Sequence, residues 1–332
     1  MKALVTGGGG FLGRAIVDRL LARGDSVRSF SRGAYPELDA LGVKTVRGDL
    51  GDGAAVREAA AGCDIVFHVA AKAGVWGPAG EYERANVLGT DHVLAACCAH
   101  GIQRLVYTSS PSVAFHGEDQ EGTDESQDYP DSFLCHYPRT KAIAEKRVLE
   151  ANGADLATVV LRPHLIWGPG DPHLVPRIVE RARAGRLRLL GGGNKLVDSV
   201  FVDNAADAHL LAADRLAPES PIAGRTYYVT QGEPIPMREL IGRILKAAGL
   251  PPETRSVSAG VAYAAGAVLE TLFRMVGAKN EPPMTRFVAR QLSTAHWFDL
   301  AAARSDLGYD PAVSLDEGME RLATWLRGNP SG

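Results

Sequence analysis

Tyr137 and Lys141, four residues apart in "CHYPRTKAIAEK", are the pair in this chain best suited to moving a proton. Pro138 fits the first turn of a helix, so phenol and ammonium share one face near a helix start. A phenol with a pKa near 10 is a poor base at neutral pH; an adjacent ammonium stabilises the phenolate and is expected to lower that value. Upstream, "YTSSPSV" ends a strand-like run and supplies Ser109 and Ser110, whose hydroxyls can polarise a carbonyl beside the tyrosine. Tyr-x-x-x-Lys arises by chance on many helices, so its weight comes from the company it keeps.

The first companion is "TGGGGFLGRAI" at residues 6 to 16. Ala3-Leu4-Val5 suits a buried strand, and Phe11, Leu12, Ala15, Ile16 and Leu20 recur at helical spacing, so the glycines sit at a strand-to-helix turn. There, glycine lets the backbone approach a ligand closely, and the helix N-terminus offers unpaired N–H groups to a phosphate. Gly7-x-x-Gly10-x-x-Gly13 is close to the dinucleotide fingerprint, shifted from GxGxxG. At the end of the second strand-like run, "SVRSFSR", a dinucleotide fold usually places an acid that would repel a 2′-phosphate. Ser31 and Arg32 stand there instead. A guanidinium forks phosphate oxygens, so the pair points to NADP(H) over NAD(H), with Arg14 as a helper. Asp49 in "RGDL" is placed to meet an adenine amino group, or to form a turn.

The elements that must position these residues follow from the pattern. Up to about residue 165, apolar runs ("ALVTG", "SVRSF", "KTVRGDL", "DIVFHVAA", "RLVYTSS", "ATVVLRP") alternate with helical stretches, which predicts an α/β Rossmann-type doubly wound parallel sheet. Beyond "WGPGDP" the regularity gives way to Gly/Pro-rich loops, a short helix at 174 to 185 and a hairpin-like "LRLLGGGNKLVDSVFV". We expect an NADP-binding domain over 1–167, with 201–227 returning to it, and a smaller α/β substrate lobe from 168–200 and 228–332. There is no internal repeat and no low-complexity tail longer than "GNPSG".

Composition narrows the classes. A net charge of −3 over 332 residues offers no basic field for nucleic acid. Cys63, Cys97, Cys98 and Cys135 lack metal or disulfide spacing and read as buried thiols in a reducing compartment. No export signal is recognisable at the N-terminus, so a cytoplasmic location is expected. The apolar stretch Val257 to Leu269 is too short to span a bilayer; a helix packed on the substrate lobe is expected, with contact to a membrane surface or a greasy substrate as the sharper alternative.

Taken in order, the motifs resemble the extended short-chain dehydrogenase/reductases: TGxxGxxG at 6 to 13, Asp49-Leu50, "HVAA" at 68 to 71, Asn86 in "NVLGT", the serine pair at 109 to 110, YxxxK at 137 to 141 and "LRPHLIWGPG". The resemblance covers the whole chain. It implies Ser110, Tyr137 and Lys141 as the catalytic triad. It places Gly7, Gly10 and Gly13 under a pyrophosphate, with Phe11, Leu12, Ser31, Arg32, Asp49, Leu50, Ala70, Ala71, Asn86 and Pro163 along the cofactor. "PSVAFHGEDQEGTDES" and the segment after it resemble the 3β-hydroxysteroid dehydrogenase-like branch. Within that branch the chain looks more like bacterial 2-alkyl-3-oxoalkanoate reductases of long-chain olefin biosynthesis than like sterol-4-carboxylate dehydrogenases. The resemblance thus implies reversible reduction of a hydrophobic β-keto acid to the β-hydroxy acid, by a cytoplasmic homodimer that can associate with other enzymes of its pathway or lie peripheral to a membrane. The alternatives are a 3β-hydroxysteroid or sterol-4-carboxylate dehydrogenase, a nucleotide-sugar epimerase or dehydratase, and a non-catalytic NADP-sensing protein, for which an acid-base pair would be superfluous.

Around the triad, Lys72 and Arg286 are candidate partners for a substrate carboxylate, Trp76 a candidate cap on the pocket, and His164 and His173 candidate substrate contacts on the Gly/Pro loop. No HExxH or paired Cys/His spacing supports a metal. Asp203 and Asn204 read as a strand end and helix cap.

Overall fold

The structure, a computed structural model, describes residues 1–329; the last three residues of "GNPSG" lie outside that range. All six of the short apolar runs become strands, the first five as β1 (Lys2–Thr6), β2 (Ser26–Ser31), β3 (Lys44–Arg47), β4 (Ile65–His68) and β5 (Arg104–Thr108) and the sixth as β7 (Ala157–Pro163). Between β5 and β7 comes β6 (Gln120–Thr123), and β8 (Ile166–Trp167), β9 (Leu189–Leu190) and β10 (Leu196–Val197) follow. The last are β11 (Val200–Phe201), β12 (Arg225–Val229), β13 (Ile235–Pro236), β14 (Ser256–Val257) and β15 (His296–Phe298). Seven of them form a parallel sheet in the order β12-β7-β5-β4-β1-β2-β3. β4 and β7 are buried at every position because helices cover both faces, which is why their sequences run apolar instead of alternating.

One face packs Ile16, Val17 and Leu20 of the helix Phe11–Ala22 with Ala205, Ala208 and Ala212 of the helix Val202–Arg215. The other packs Val56 and Ala59, Val93 and Cys97, and Ala144 and Val148 from three further helices. The strand order reverses between β1 and β4, so a crevice opens at their carboxyl ends, the usual ligand position in such sheets. Thr6, His68, Thr108 and Pro163 all end their strands there. Outside the seven-stranded sheet lie a four-stranded sheet, β13-β10-β15-β6, and two strand pairs, β11-β8 and β14-β9. β6, from the first half of the chain, joins this smaller sheet.

Several expectations need correction. The stretch 187–202 is not a hairpin: β9 pairs with β14, β10 with β13 and β15, and β11 with β8. Gly191, Gly192 and Gly193 all take positive φ (56°, 76° and 67°), which diverts the chain before two strands can pair back on each other. Only Cys63 and Cys97 are buried; Cys98 is exposed and Cys135 intermediate. Neighbours on a helix point about 100° apart, so Cys97 and Cys98 cannot share the inward face. Asp203 and Asn204 do not cap: Asp203 pairs with Arg321 in the first turn, while buried Asn204 bonds Val313 and Gln231. The helix expected near 257–269 runs Ala259–Met275, and only Ala262, Gly266 and Glu270 of it are buried.

Candidate active site

Tyr137 and Lys141 lie on the helix His136–Glu150, which starts at Cys135 directly beside the end of β5. Lys141 is buried, its Nζ donating to the Thr108 carbonyl at 2.6 Å and lying 4.1 Å from the centre of the Tyr107 ring. Burial pushes it down to about 7, opposed by the Glu145 carboxylate one turn further along the same helix face. Tyr137 was expected to be lowered by the ammonium. Instead burial raises it, and the neighbour that favours its phenolate is the Ser110 hydroxyl. The physical reason is the direction of the lysine, whose charge is turned onto the carbonyl end of β5 and the Tyr107 face. At neutral pH Tyr137 therefore holds its proton, the state of a general acid.

Ser110 is held in extended backbone (φ −158°) at the start of the 3₁₀ turn Pro111–Ala114, with its Oγ 2.9 Å from Ser112 Oγ. Ser109 points elsewhere; its Oγ is buried without a partner. The structure thus brings Ser110, Tyr137 and Lys141 together at one strand end and leaves Ser109 beside them.

The residues expected along a cofactor cluster at the same crevice. Thr6 Oγ1 accepts the N–H groups of Val69 and Ala70, each at 3.1 Å, and bonds His68 Nδ1 at 2.8 Å, locking the ends of β1 and β4. Gly7 has φ +73°, with the Ala70 backbone so near that a Cβ would stand 3.1 Å from it; a Cβ on Gly13 would stand 2.0 Å from the Gly7 carbonyl oxygen. Gly10 begins the helix on which Phe11 and buried Leu12 sit. At the end of β2, Ser31 Oγ is buried without a partner, and Arg32 is exposed with no ion pair among the described residues. Asp49 forms a turn, accepting Gly51 N–H at 2.7 Å and facing Arg84, and Leu50 packs behind it against Gly89. Asn86 accepts the Lys72 N–H at 2.7 Å and donates to the Lys72 carbonyl and Thr140 Oγ1, tying the loop after Ala70 and Ala71 to the tyrosine helix. Buried Pro163 ends β7. A cradle that side chains would fill and two buried hydroxyls without partners, on Ser31 and Ser109, fit a dinucleotide.

The expected substrate contacts separate into kinds. Phe115 and Phe287 meet edge to face at 6.2 Å and pack with Val75, Leu134, Cys135 and Met284 into an apolar wall that reaches the residue two before Tyr137. Trp76 follows Val75 of that wall, its Nε1 donating to Ala278 O at 3.1 Å and its ring edge-on to Phe273. His164 is buried; Nδ1 bonds Asp198 O at 2.6 Å, and burial pushes it down to about 3, so it is a neutral structural residue. His173 is exposed at the start of the helix Leu174–Arg183. Neither cation is free: Lys72 pairs with Glu81 at 2.8 Å and Arg286 with buried Glu270 at 2.8 Å.

Sequence reasoning missed the support behind the triad. Buried Glu145 accepts the Arg162 guanidinium and the Tyr129 hydroxyl (2.8 Å), and Arg162 also reaches Tyr228 at 3.2 Å. The signal was present for Glu145, four residues after Lys141, but its partner on β7 carries none. The Phe115–Phe287 wall joins residues too distant in sequence for any local pattern.

Residues 4–258 match the 3-beta hydroxysteroid dehydrogenase/isomerase family. Two relatives named 2-alkyl-3-oxoalkanoate reductase are similar throughout. That of Stenotrophomonas maltophilia is 54% identical, over 97% of this chain and 98% of its own. That of Shewanella oneidensis is 53% identical, over 98% of this chain and 86% of its own. Among solved structures, UDP-glucose 4-epimerase of Thermus thermophilus in complex with NAD aligns with a TM-score of 0.75 at 28% identity, over 99% of this chain and 100% of that one. The chain therefore belongs to the 3-beta hydroxysteroid dehydrogenase/isomerase family of extended short-chain dehydrogenase/reductases, and with that family it is an oxidoreductase.

Proposed function

We propose that the protein reduces the 3-keto group of a 2-alkyl-3-oxoalkanoic acid to the 3-hydroxy acid, reversibly, using NADP(H). The observation that carries this reading is the protonated Tyr137 beside Ser110 and an apolar wall, in a chain 54% identical to a reductase of that name. A bound nicotinamide supplies, or accepts, the electron pair and the hydrogen at the carbonyl carbon. The chain's own residues do the rest. Ser110 donates a hydrogen bond that orients the substrate oxygen, and Tyr137 gives that oxygen its proton. Lys141, fixed on the Thr108 carbonyl at 2.6 Å, would hold the nicotinamide ribose beside Tyr137. We assign 1–167 with 201–227 to the cofactor and the remainder to the substrate, and place a homodimer in the cytoplasm, able to associate with other enzymes of its pathway.

The Thermus epimerase carries NAD on the same fold, which supports a nicotinamide cofactor here. The preference for a 2′-phosphate rests on Ser31 and Arg32. Arg32→Ala is expected to cost about 1.5–3 kcal/mol of NADPH binding, the range for a hydrogen bond to a charged group, and to leave NADH binding little changed. Fluorescence titration with both cofactors checks this; equal losses would assign Arg32 to the fold. Ser31→Asp should move preference toward NADH.

For the substrate carboxylate we favour Lys72 over Arg286. Glu81 is 58% exposed, so the Lys72 pair is weak and exchangeable, whereas Glu270 is 4% exposed and bound to Arg286. In a series of β-keto acids, kcat/KM should rise with chain length until the wall is covered, each buried methylene contributing up to ~0.8 kcal/mol. A flat series would contradict the reading, and a 3-ketosteroid preferred to every acid would install the sterol reading that the family name favours. Methyl esters as good as the acids would remove Lys72 without touching the triad.

A further inference from the structure

The helix Ala259–Met275 has two unlike faces. Its inner face holds the helix Arg286–Gln291: a Cβ on Gly266 would stand 2.7 Å from the Thr285 carbonyl carbon, and Glu270 accepts Arg286 N–H at 2.6 Å. Its outer face and the residue after it present Val261, Val268, Leu272, Met275 and Val276, five of the seven large hydrophobic side chains exposed among the described residues. At spacings of three, four and seven they form one stripe, and contiguous exposed apolar surface of this kind marks a contact.

Charge identifies the contact. Residues 259–292 carry Arg274, Lys279, Arg286 and Arg290 against Glu270 and Glu281, a positive excess in a chain whose net charge is −3. Both carboxylates are engaged, Glu270 by Arg286 at 2.8 Å and more loosely by Arg274 at 3.6 Å, and Glu281 by Arg177; Arg274 remains 60% exposed. Lys279 pairs with no carboxylate among the described residues, and Arg290 lies over the Tyr263 ring. Trp76 and Phe273, with Arg274 over the indole, stand at the same end of the stripe. No described helix is long and apolar enough to cross a membrane, so such a face lies on a bilayer and does not span it.

We infer that the helix Ala259–Met275 docks this protein flat on the surface of a bilayer containing anionic lipid, with Leu272, Val268 and Met275 in the acyl boundary and Arg274 and Lys279 at the headgroups. The docked helix is continuous with the interior. Met284 and Leu292 pack both against its inner face and against the Phe115–Phe287 wall, giving an apolar substrate a short path from bilayer to site. That path rests on the proposed substrate; the docking does not.

Co-sedimentation of the full-length chain with vesicles tests it without an activity readout. Vesicles of phosphatidylcholine with phosphatidylglycerol should bind the protein, phosphatidylcholine alone should bind it more weakly, and high salt should erase the difference. Leu272→Glu and Val268→Glu should each weaken binding at least ~10-fold, the scale for exposing one apolar side chain, with an unchanged unfolding midpoint because both positions are exposed. No binding to anionic vesicles, or binding that Leu272→Glu leaves intact, overturns the inference. So does a protein that ignores vesicles but loses self-association on Leu272→Glu in sedimentation velocity, since the stripe then belongs to a second copy of the chain.

Discussion

Tyr137→Phe is expected to lower kcat at least ~100-fold, the usual scale for losing a general acid, while NADPH affinity stays nearly unchanged. The phenol hydroxyl faces Ser110, and its burial holds the proton at neutral pH, so the deletion removes the donor and little else. The ring remains to fill its place on the helix His136–Glu150. Steady-state turnover beside a cofactor titration separates the two quantities. A variant with near-normal kcat would take Tyr137 out of the chemistry, and one that also lost NADPH would make it a binding residue.

Glu145→Gln is expected to destabilise the fold by about 3–5 kcal/mol, because it leaves the guanidinium of Arg162 buried without its countercharge. Glu145 is 0% and Arg162 3% exposed, and the Tyr129 and Tyr228 hydroxyls close the network around them. Removing both charges, as Glu145→Gln with Arg162→Met, should return most of that stability, since a neutral pair of similar volume no longer buries an unpaired ion. Urea unfolding of the wild type and both variants reads the difference; equal loss in the single and double variants would show that the pair matters only for packing. The double variant also bears on the site. Glu145 is the group that favours the Lys141 ammonium against burial, so its removal moves that lysine further below its present value of about 7. If the ammonium is the working form, kcat/KM falls as pH rises through the lysine's pKa, and in the double variant that fall comes at lower pH.

What could be read from the sequence was what local spacing determines. Tyr137 and Lys141 share a helix face because four residues make about one turn, and Gly7 and Gly13 were legible because a strand-to-helix turn so tight admits no side chain. The parallel sheet followed from alternating runs, and strands such as β7 were recognisable by being apolar throughout. What escaped was set by tertiary placement. The direction of the Tyr137 shift depends on burial and on where Lys141 points, neither of which a spacing contains. Lys72 and Arg286 looked like free cations because their partners, Glu81 and Glu270, come from neighbouring turns brought back by the fold. Two-residue strands such as β9 and β10 carry too few positions for any periodicity, so the stretch 187–202 was misread as a hairpin.

The proposed reaction is the reduction, by NADPH, of a 2-alkyl-3-oxoalkanoic acid at Tyr137. Loss of NADPH absorbance, followed side by side with a long-chain 2-alkyl-3-oxo acid, a 3-ketosteroid and a UDP-sugar, tests it most directly. Consumption should be rapid with the keto acid, slight with the other two, and no more than background with Tyr137→Phe. Consumption led by the steroid, or none with the keto acid under any condition where the protein binds NADPH, would contradict it.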